Sequence, residues 1–149
     1  MIGMIYKMTI LLILASQTGN TKTFVDFLQR HSEQKIAVCG DFDESIKDYN
    51  QIAFGSYTWG DGKIPAKMKK YLIDHQHELA NKDVIVFGSG NSIYPNFCRA
   101  VDSIAKICHD CGANVIRTVK FEQRWNENER DETDLKFLIE DLRYWSRRD

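Results

Sequence analysis

Short apolar runs of strand length alternate along the chain with stretches in which apolar residues recur at helical spacing. Thr9–Ala15 is almost wholly Ile and Leu, the pattern of a strand covered on both faces. Lys35–Cys39, Gln51–Gly55, Asp83–Gly88 and Asn114–Phe121 read as four more strands. Between them, Thr21–Arg30 carries Phe24, Val25, Phe27 and Leu28 at helical spacing, and Pro65–His77 is a second helical stretch. Asn96–Cys111 lines Phe97, Ala100, Val101, Ile104 and Cys108 along one face, and Thr133–Ser146 repeats Leu135, Leu138, Ile139, Leu142 and Trp145 at the same period. Strands alternating with helices predict an α/β protein built on a parallel sheet with helices on both faces. Open sheets of this kind bind ligands at the carboxyl ends of their strands. The loops after the first, third and fourth strands are therefore where chemistry is expected.

The first of these loops is SQTGNTK, Ser16–Lys22. The hydroxyls of Ser16, Thr18 and Thr21, the Asn20 amide and successive backbone N–H groups are expected to converge at a helix N-terminus, and Gly19 lets the backbone turn closely. Such a nest holds a phosphate through hydrogen bonds and the helix dipole. It is not a Walker loop, because the Lys-Ser/Thr pair and the glycine spacing are missing. The same residue types also serve as an N-cap and turn, so this segment alone leaves both readings open. The second loop, SYTWGDG, places Ser56, Tyr57, Thr58, Trp59, Gly60 and Gly62 directly after an apolar run. Large aromatics clustered on a loop usually mark something that is gripped. The third, GSGNSIYPNFC, spans Gly88–Cys98. Taken alone it is a turn with Tyr94 as a surface aromatic. Together the loops place one phosphate nest beside one aromatic on each of two neighbouring loops. That describes a planar heterocycle with a single phosphate tail, clamped between Trp59 and Tyr94.

Composition narrows the class further. A chain of 149 residues, 43% hydrophobic and 28% charged, is expected to form a single globular domain over 1–149. Its net charge of −1 supplies no bulk field for nucleic acid or an anionic membrane. The apolar run Ile10–Ala15 is far shorter than the ~18–20 residues of a membrane span, and no small-residue cleavage pattern follows it. Met4 and Met8 offer internal starts, so residues 1–7 are read as a disordered or mis-started N-terminus. The four cysteines, Cys39, Cys98, Cys108 and Cys111, are dispersed, which fits reduced thiols and a cytoplasmic location. Cys108 and Cys111 form a C-x-x-C at a helix C-terminal end, where the dipole opposes thiolate formation. One such pair does not make a four-ligand zinc site, so it is read as packing and no metal is expected. A phosphorylation receiver needs an acid pair after the first strand and an acceptor Asp after the third; those ends read Ser-Gln-Thr-Gly and Ser-Tyr-Thr-Trp.

The three loops, in this order, resemble those of the short-chain flavodoxins of Bacillus and related bacteria, and the resemblance covers nearly the whole chain. SQTGNT resembles the family's FMN-phosphate loop, YTWGDG its first flavin-stacking loop and GSGNSIYPNFCRAVD its second. The resemblance implies a doubly wound five-stranded parallel sheet of order 2-1-3-4-5 and a single domain. It also implies non-covalent FMN and one-electron transfer at low potential, with no substrate turnover of its own. A flavin- or NADPH-dependent reductase would be the donor, a redox enzyme the acceptor, and the protein a monomer that binds neither nucleic acid nor membrane. By position, Ser16, Gln17, Thr18, Gly19, Asn20 and Thr21 would hold the phosphate. Trp59 and Tyr94 would sandwich the isoalloxazine, with Ser56, Tyr57, Thr58, Gly62, Phe97 and Cys98 around it. Backbone at Ser89, Gly90 and Asn91 would bind the pyrimidine edge, and Gly60 would offer its carbonyl to N5–H. Two departures stand out. Family members usually carry an acid where Asn91 stands, and they are usually strongly acidic, whereas here Lys63, Lys67, Lys69 and Lys70 follow the Trp loop. The chain is also similar to the flavodoxin-like activator of class Ib ribonucleotide reductase, which serves a dimanganese site; TWGDG and YPNFCRAVD favour flavodoxin proper.

Overall fold

The computed structural model describes residues 9–32, 34–126 and 140–141. In chain order the elements are β1 (Thr9–Ala15), α1 (Lys22–His31), β2 (Lys35–Cys39), β3 (Gln51–Tyr57), α2 (Ala66–His75), β4 (Asp83–Gly90), α3 (Arg99–Asp110) and β5 (Asn114–Glu122). The strands form one five-stranded sheet in the order β2-β1-β3-β4-β5, and every neighbouring pair is parallel. This is the doubly wound architecture expected from the alternation.

The apolar runs explain why the central strands are buried twice over. Leu11 and Ile13 of β1 face one core with Phe54 of β3, Leu72 of α2, and Val101 and Ile104 of α3. Their neighbours Ile10 and Leu12 face the other core with Phe87 of β4 and with Phe24, Phe27 and Leu28 of α1. Period-two alternation between two covered faces leaves no polar position, hence the continuous hydrophobic run. β2 closes one edge, and there Val38 is exposed.

The second core is capped by a residue that no periodicity announces. Trp125, just past β5, lies 4.6 Å from the Phe24 ring, 4.9 Å from Phe27 and 5.7 Å from Phe121, measured between centroids. Its backbone N–H donates to Thr23 Oγ1 at 2.7 Å, which ties the chain after β5 to the first turn of α1.

Several element bounds differ from those expected, each for a local reason. β3 and β4 run two residues further, to Tyr57 and Gly90, because Ser56 pairs with Ala15 on one side and Gly88 on the other, and Tyr57 pairs with Ser89. β5 gains Glu122. α1 is shifted by one residue and starts at Lys22. α2 begins after Pro65, whose ψ of 141° is extended, and breaks into a 3-10 turn over Gln76–Glu78. α3 begins at Arg99 and not at Asn96, because Cys98 takes φ 50°, a left-handed conformation that interrupts a helix. Residues 1–7 lie outside the described residues. So does the expected helix Thr133–Ser146, apart from 140–141, where the Asp141 carboxylate pairs with Arg117 at 3.1 Å.

Candidate functional site

The parallel sheet delivers the three expected loops to one edge. After β1, Ser16, Gln17 and Thr18 are exposed, Gly19 and Asn20 half-buried, and Thr21 buried. Gly19 has φ 86°, with nothing within 4 Å of where a Cβ would stand. Its N–H donates to Ser16 Oγ at 3.2 Å. α1 has no acidic residue in its first turn and opens on Lys22. The Thr23 and Phe24 N–H groups close onto the Asn20 and Thr21 carbonyls at 3.2 Å, so an anion here would meet the positive end of the helix and Lys22, with no carboxylate in the first turn to compete. Thr21 behaves differently from its neighbours. Its hydroxyl shares a hydrogen bond of 2.8 Å with Ser89 Oγ, both residues being buried. This bond ties the loop after β1 to the end of β4, and the Thr21 side chain points into the protein.

The second loop is a tight turn. Trp59 and Lys63 exchange two backbone hydrogen bonds of 2.7 Å each, leaving Gly60, Asp61 and Gly62 to reverse the chain. Gly60 (φ 50°) and Gly62 (φ 92°) take the left-handed conformations that the reversal requires. Trp59 is 53% exposed, and its ring stacks on no other aromatic among the described residues. Ser56 is fully buried, with its hydroxyl donating to the Tyr57 carbonyl at 2.8 Å. Thr58 Oγ1 accepts the Ala100 N–H at 3.1 Å, so it caps α3 from another loop and keeps its own proton to donate. Gly62 is pressed against the third loop: a Cβ there would stand 2.7 Å from Arg99 Cδ.

The third loop reverses away from β4. Tyr94 is 64% exposed and Ile93 78%. Asn91 Oδ1 accepts the Ile93 N–H at 3.1 Å, a local Asx turn, and the Tyr94 N–H donates to the Asn91 carbonyl at 3.1 Å. The glycines of the G-x-G act as spacers. A Cβ at Gly88 would run into the Ser56 carbonyl and Val101, and one at Gly90 would meet Cys98 Sγ at 2.9 Å. Cys98 is buried, with its thiol donating to the Gly88 carbonyl at 3.5 Å, and burial pushes that thiol up to about 11. Cys108 is likewise buried, and burial, with Cys111 beside it, pushes its thiol up to about 12. Both remain thiols at neutral pH.

Two clefts open beside the Trp59 loop. A narrow one of about 130 Å³ runs between the second and third loops, lined by Thr58, Gly60, Asp61, Gly90, Asn91, Tyr94, Pro95, Asn96, Phe97 and Cys98. A larger one, about 660 Å³, joins Ser16, Gln17, Tyr57 and Trp59 to Leu14, Ala15, Gly40, Phe42, Pro65, Ala66 and Lys67. Of the expected site residues, Ser16, Gln17, Tyr57 and Trp59 line the larger cleft and Thr58, Gly60, Gly90, Asn91, Tyr94, Phe97 and Cys98 the narrow one, while Thr18, Gly19, Asn20, Thr21, Ser56, Gly62 and Ser89 line neither. Lys67 is one of the lysines noted after the Trp loop, whereas Asp61 and Phe42 were not anticipated. Nor was Glu122, at the end of β5, whose carboxylate accepts the Ser92 N–H. Among the described residues, no group of three or more His, Cys, Asp or Glu side chains is placed to hold a metal ion, and no helix is long and apolar enough to cross a membrane.

A doubly wound parallel sheet with a helix start open to an anion, and with exposed aromatics on the loops at the carboxyl ends of its strands, is the architecture of a mononucleotide-binding protein. Comparison with known proteins narrows the class. A family model described as flavodoxin matches residues 12–139. The probable flavodoxin 2 of Bacillus subtilis is 33% identical over 132 residues, covering 83% of this chain and 87% of that protein. The flavodoxin of Maridesulfovibrio salexigens is 34% identical over 116 residues, covering 71% and 80%. The crystal structure of oxidised flavodoxin 1 from Bacillus cereus superposes with a TM-score of 0.69 at 28% identity, over 92% of this chain and 96% of that one. The chain belongs to the flavodoxin family: it is an FMN-binding electron carrier, with no substrate turnover of its own.

Proposed function

We propose that this protein is a low-potential one-electron carrier, a cytoplasmic monomer that takes electrons from a flavin- or NADPH-dependent reductase and hands them to an acceptor redox enzyme. The observation that carries the reading is that Trp59 shares a cleft with Ser16 and Gln17 of the loop before α1, while the exposed Tyr94 lines the neighbouring cleft at the same sheet edge. Bound there, FMN supplies a ring that accepts and returns single electrons. In the proposed mode the loop Ser16–Asn20 and the start of α1 bind its phosphate. Trp59 and Tyr94 cover the ring's two faces and exclude water, and backbone at Ser89, Gly90 and Asn91 meets its pyrimidine edge. Gly60 turns its carbonyl toward the ring's N5 position. It already has a positive φ, and no atom lies within 4 Å of its missing Cβ, so the peptide turns without steric cost.

Extraction of the pigment and stepwise reduction test this reading together. FMN is the expected extract, and reduction is expected in two well-separated one-electron steps. FAD or riboflavin as the main pigment overturns the phosphate assignment, while near-equal couples favour the ribonucleotide reductase activator.

A substitution separates grip from packing. Because Trp59 is 53% exposed and stacks on no aromatic among the described residues, Trp59→Ala is expected to leave the apoprotein's unfolding midpoint almost unchanged. FMN binding is expected to weaken about tenfold, since an aromatic stack is worth about 0.5–1.5 kcal/mol beyond the area it buries. Thermal melts of the apoprotein and flavin fluorescence titrations measure the two effects. A large loss of apoprotein stability would make Trp59 a core residue.

A further inference from the structure

Glu122 ends β5, outside the three loops where cofactor contacts were expected. Both of its carboxylate oxygens lie 3.1 Å from the Ser92 nitrogen and accept its N–H. The next residue, Gln123, bends away with φ 49° and donates its own N–H to the Gly90 carbonyl at 2.8 Å. The end of β5 therefore grips the third loop on either side of Asn91. Within that loop the constraint passes on, because the Tyr94 N–H donates to the Asn91 carbonyl at 3.1 Å. Glu122 itself is exposed, and no Lys or Arg forms an ion pair with it among the described residues. A charged acceptor on a backbone N–H makes one of the stronger hydrogen bonds available to an exposed loop.

We propose that Glu122 is a positioning residue for the flavin: by holding the Ser92 N–H it keeps residues 90–94 docked on the end of β5, and so keeps Tyr94 and the Asn91 backbone where the ring is received. The inference rests on the proposed placement of the ring between Trp59 and Tyr94. Its physical basis is population. If the loop is docked only part of the time, the apparent affinity falls by the docked fraction. The carboxylate acts by accepting the Ser92 N–H, and a neutral amide oxygen in the same place keeps that bond at about half its strength.

The test compares the full-length wild type with Glu122→Ala and Glu122→Gln, using amide hydrogen exchange of the apoproteins and FMN titration by fluorescence quenching. Glu122→Ala is expected to speed exchange at Ser92, Ile93 and Tyr94 and to weaken FMN about tenfold, the low end for losing a hydrogen bond to a charged group. Glu122→Gln is expected to restore both to within about threefold of wild type. Unchanged exchange and affinity in the Ala variant overturn the proposal. So does a Gln variant as weak as the Ala variant, since charge and not grip would then be responsible. If the wild type itself fails to bind FMN, the flavin reading falls, and the exchange comparison still decides whether Glu122 holds the loop.

Discussion

Truncating Trp125 to alanine is expected to cost the apoprotein about 3–5 kcal/mol of unfolding free energy, the range for removing a buried Trp or Phe. Trp125 is 9% exposed, and its indole closes a cluster with Phe24, Phe27 and Phe121. Deleting it leaves a cavity against α1 that the rigid sheet beneath cannot collapse to fill. For a domain of this size the loss lowers the melting midpoint by about 10 °C. Trp125→Phe keeps an aromatic face against Phe24 and is expected to lose less than half as much. Urea unfolding of the apoproteins measures both. A change below about 1 kcal/mol in the Ala variant would mean that the cluster is complete without the indole, and that Trp125 acts only through its backbone bond to Thr23.

The second large effect falls on binding. In the proposed mode the exposed Thr18 hydroxyl donates to the FMN phosphate, which carries charge, so Thr18→Ala is expected to lose about 1.5–3 kcal/mol, roughly 10–150-fold in affinity. Riboflavin has the same ring and no phosphate, and its affinity is expected to change less than threefold. The ratio of the two losses is the diagnostic, because a general disturbance of the loop weakens both ligands equally. Fluorescence titrations of wild type and variant with each flavin measure it. Equal losses would place the phosphate elsewhere. Thr21 offers a contrast. Its hydroxyl is bonded to Ser89, so Thr21→Ala leaves a buried partner unsatisfied, and its first effect is expected on the stability of the apoprotein.

The sequence by itself determined the elements and the edge on which they place chemistry. Continuous apolar runs such as Ile10–Leu14 follow from burial on two faces, and the recurrence of Phe24, Phe27 and Leu28 follows from a helix with one covered stripe. Both are local signals. The loop chemistry is equally local: Ser, Thr, Asn and Gly before a helix, and aromatics beside glycines after a strand. The tertiary structure alone decided who meets whom. Thr21 and Ser89 are 68 positions apart, Thr58 and Ala100 are 42 apart, Ser92 and Glu122 are 30 apart, and Thr23 and Trp125 are 102 apart. Periodicity says which face of an element is buried but not which residue lies across the sheet, because that depends on strand register and on where each crossover returns. Register also carried β3 and β4 past their apolar runs, since Ser56 and Ser89 are held by ladder partners and not by hydrophobicity. For the same reason the sequence does not reveal that the glycines of GSG also serve as spacers in the fold. Their missing Cβ atoms make room for the Ser56 carbonyl, Val101 and Cys98, neighbours supplied by a strand and a helix that only the folded chain brings against β4.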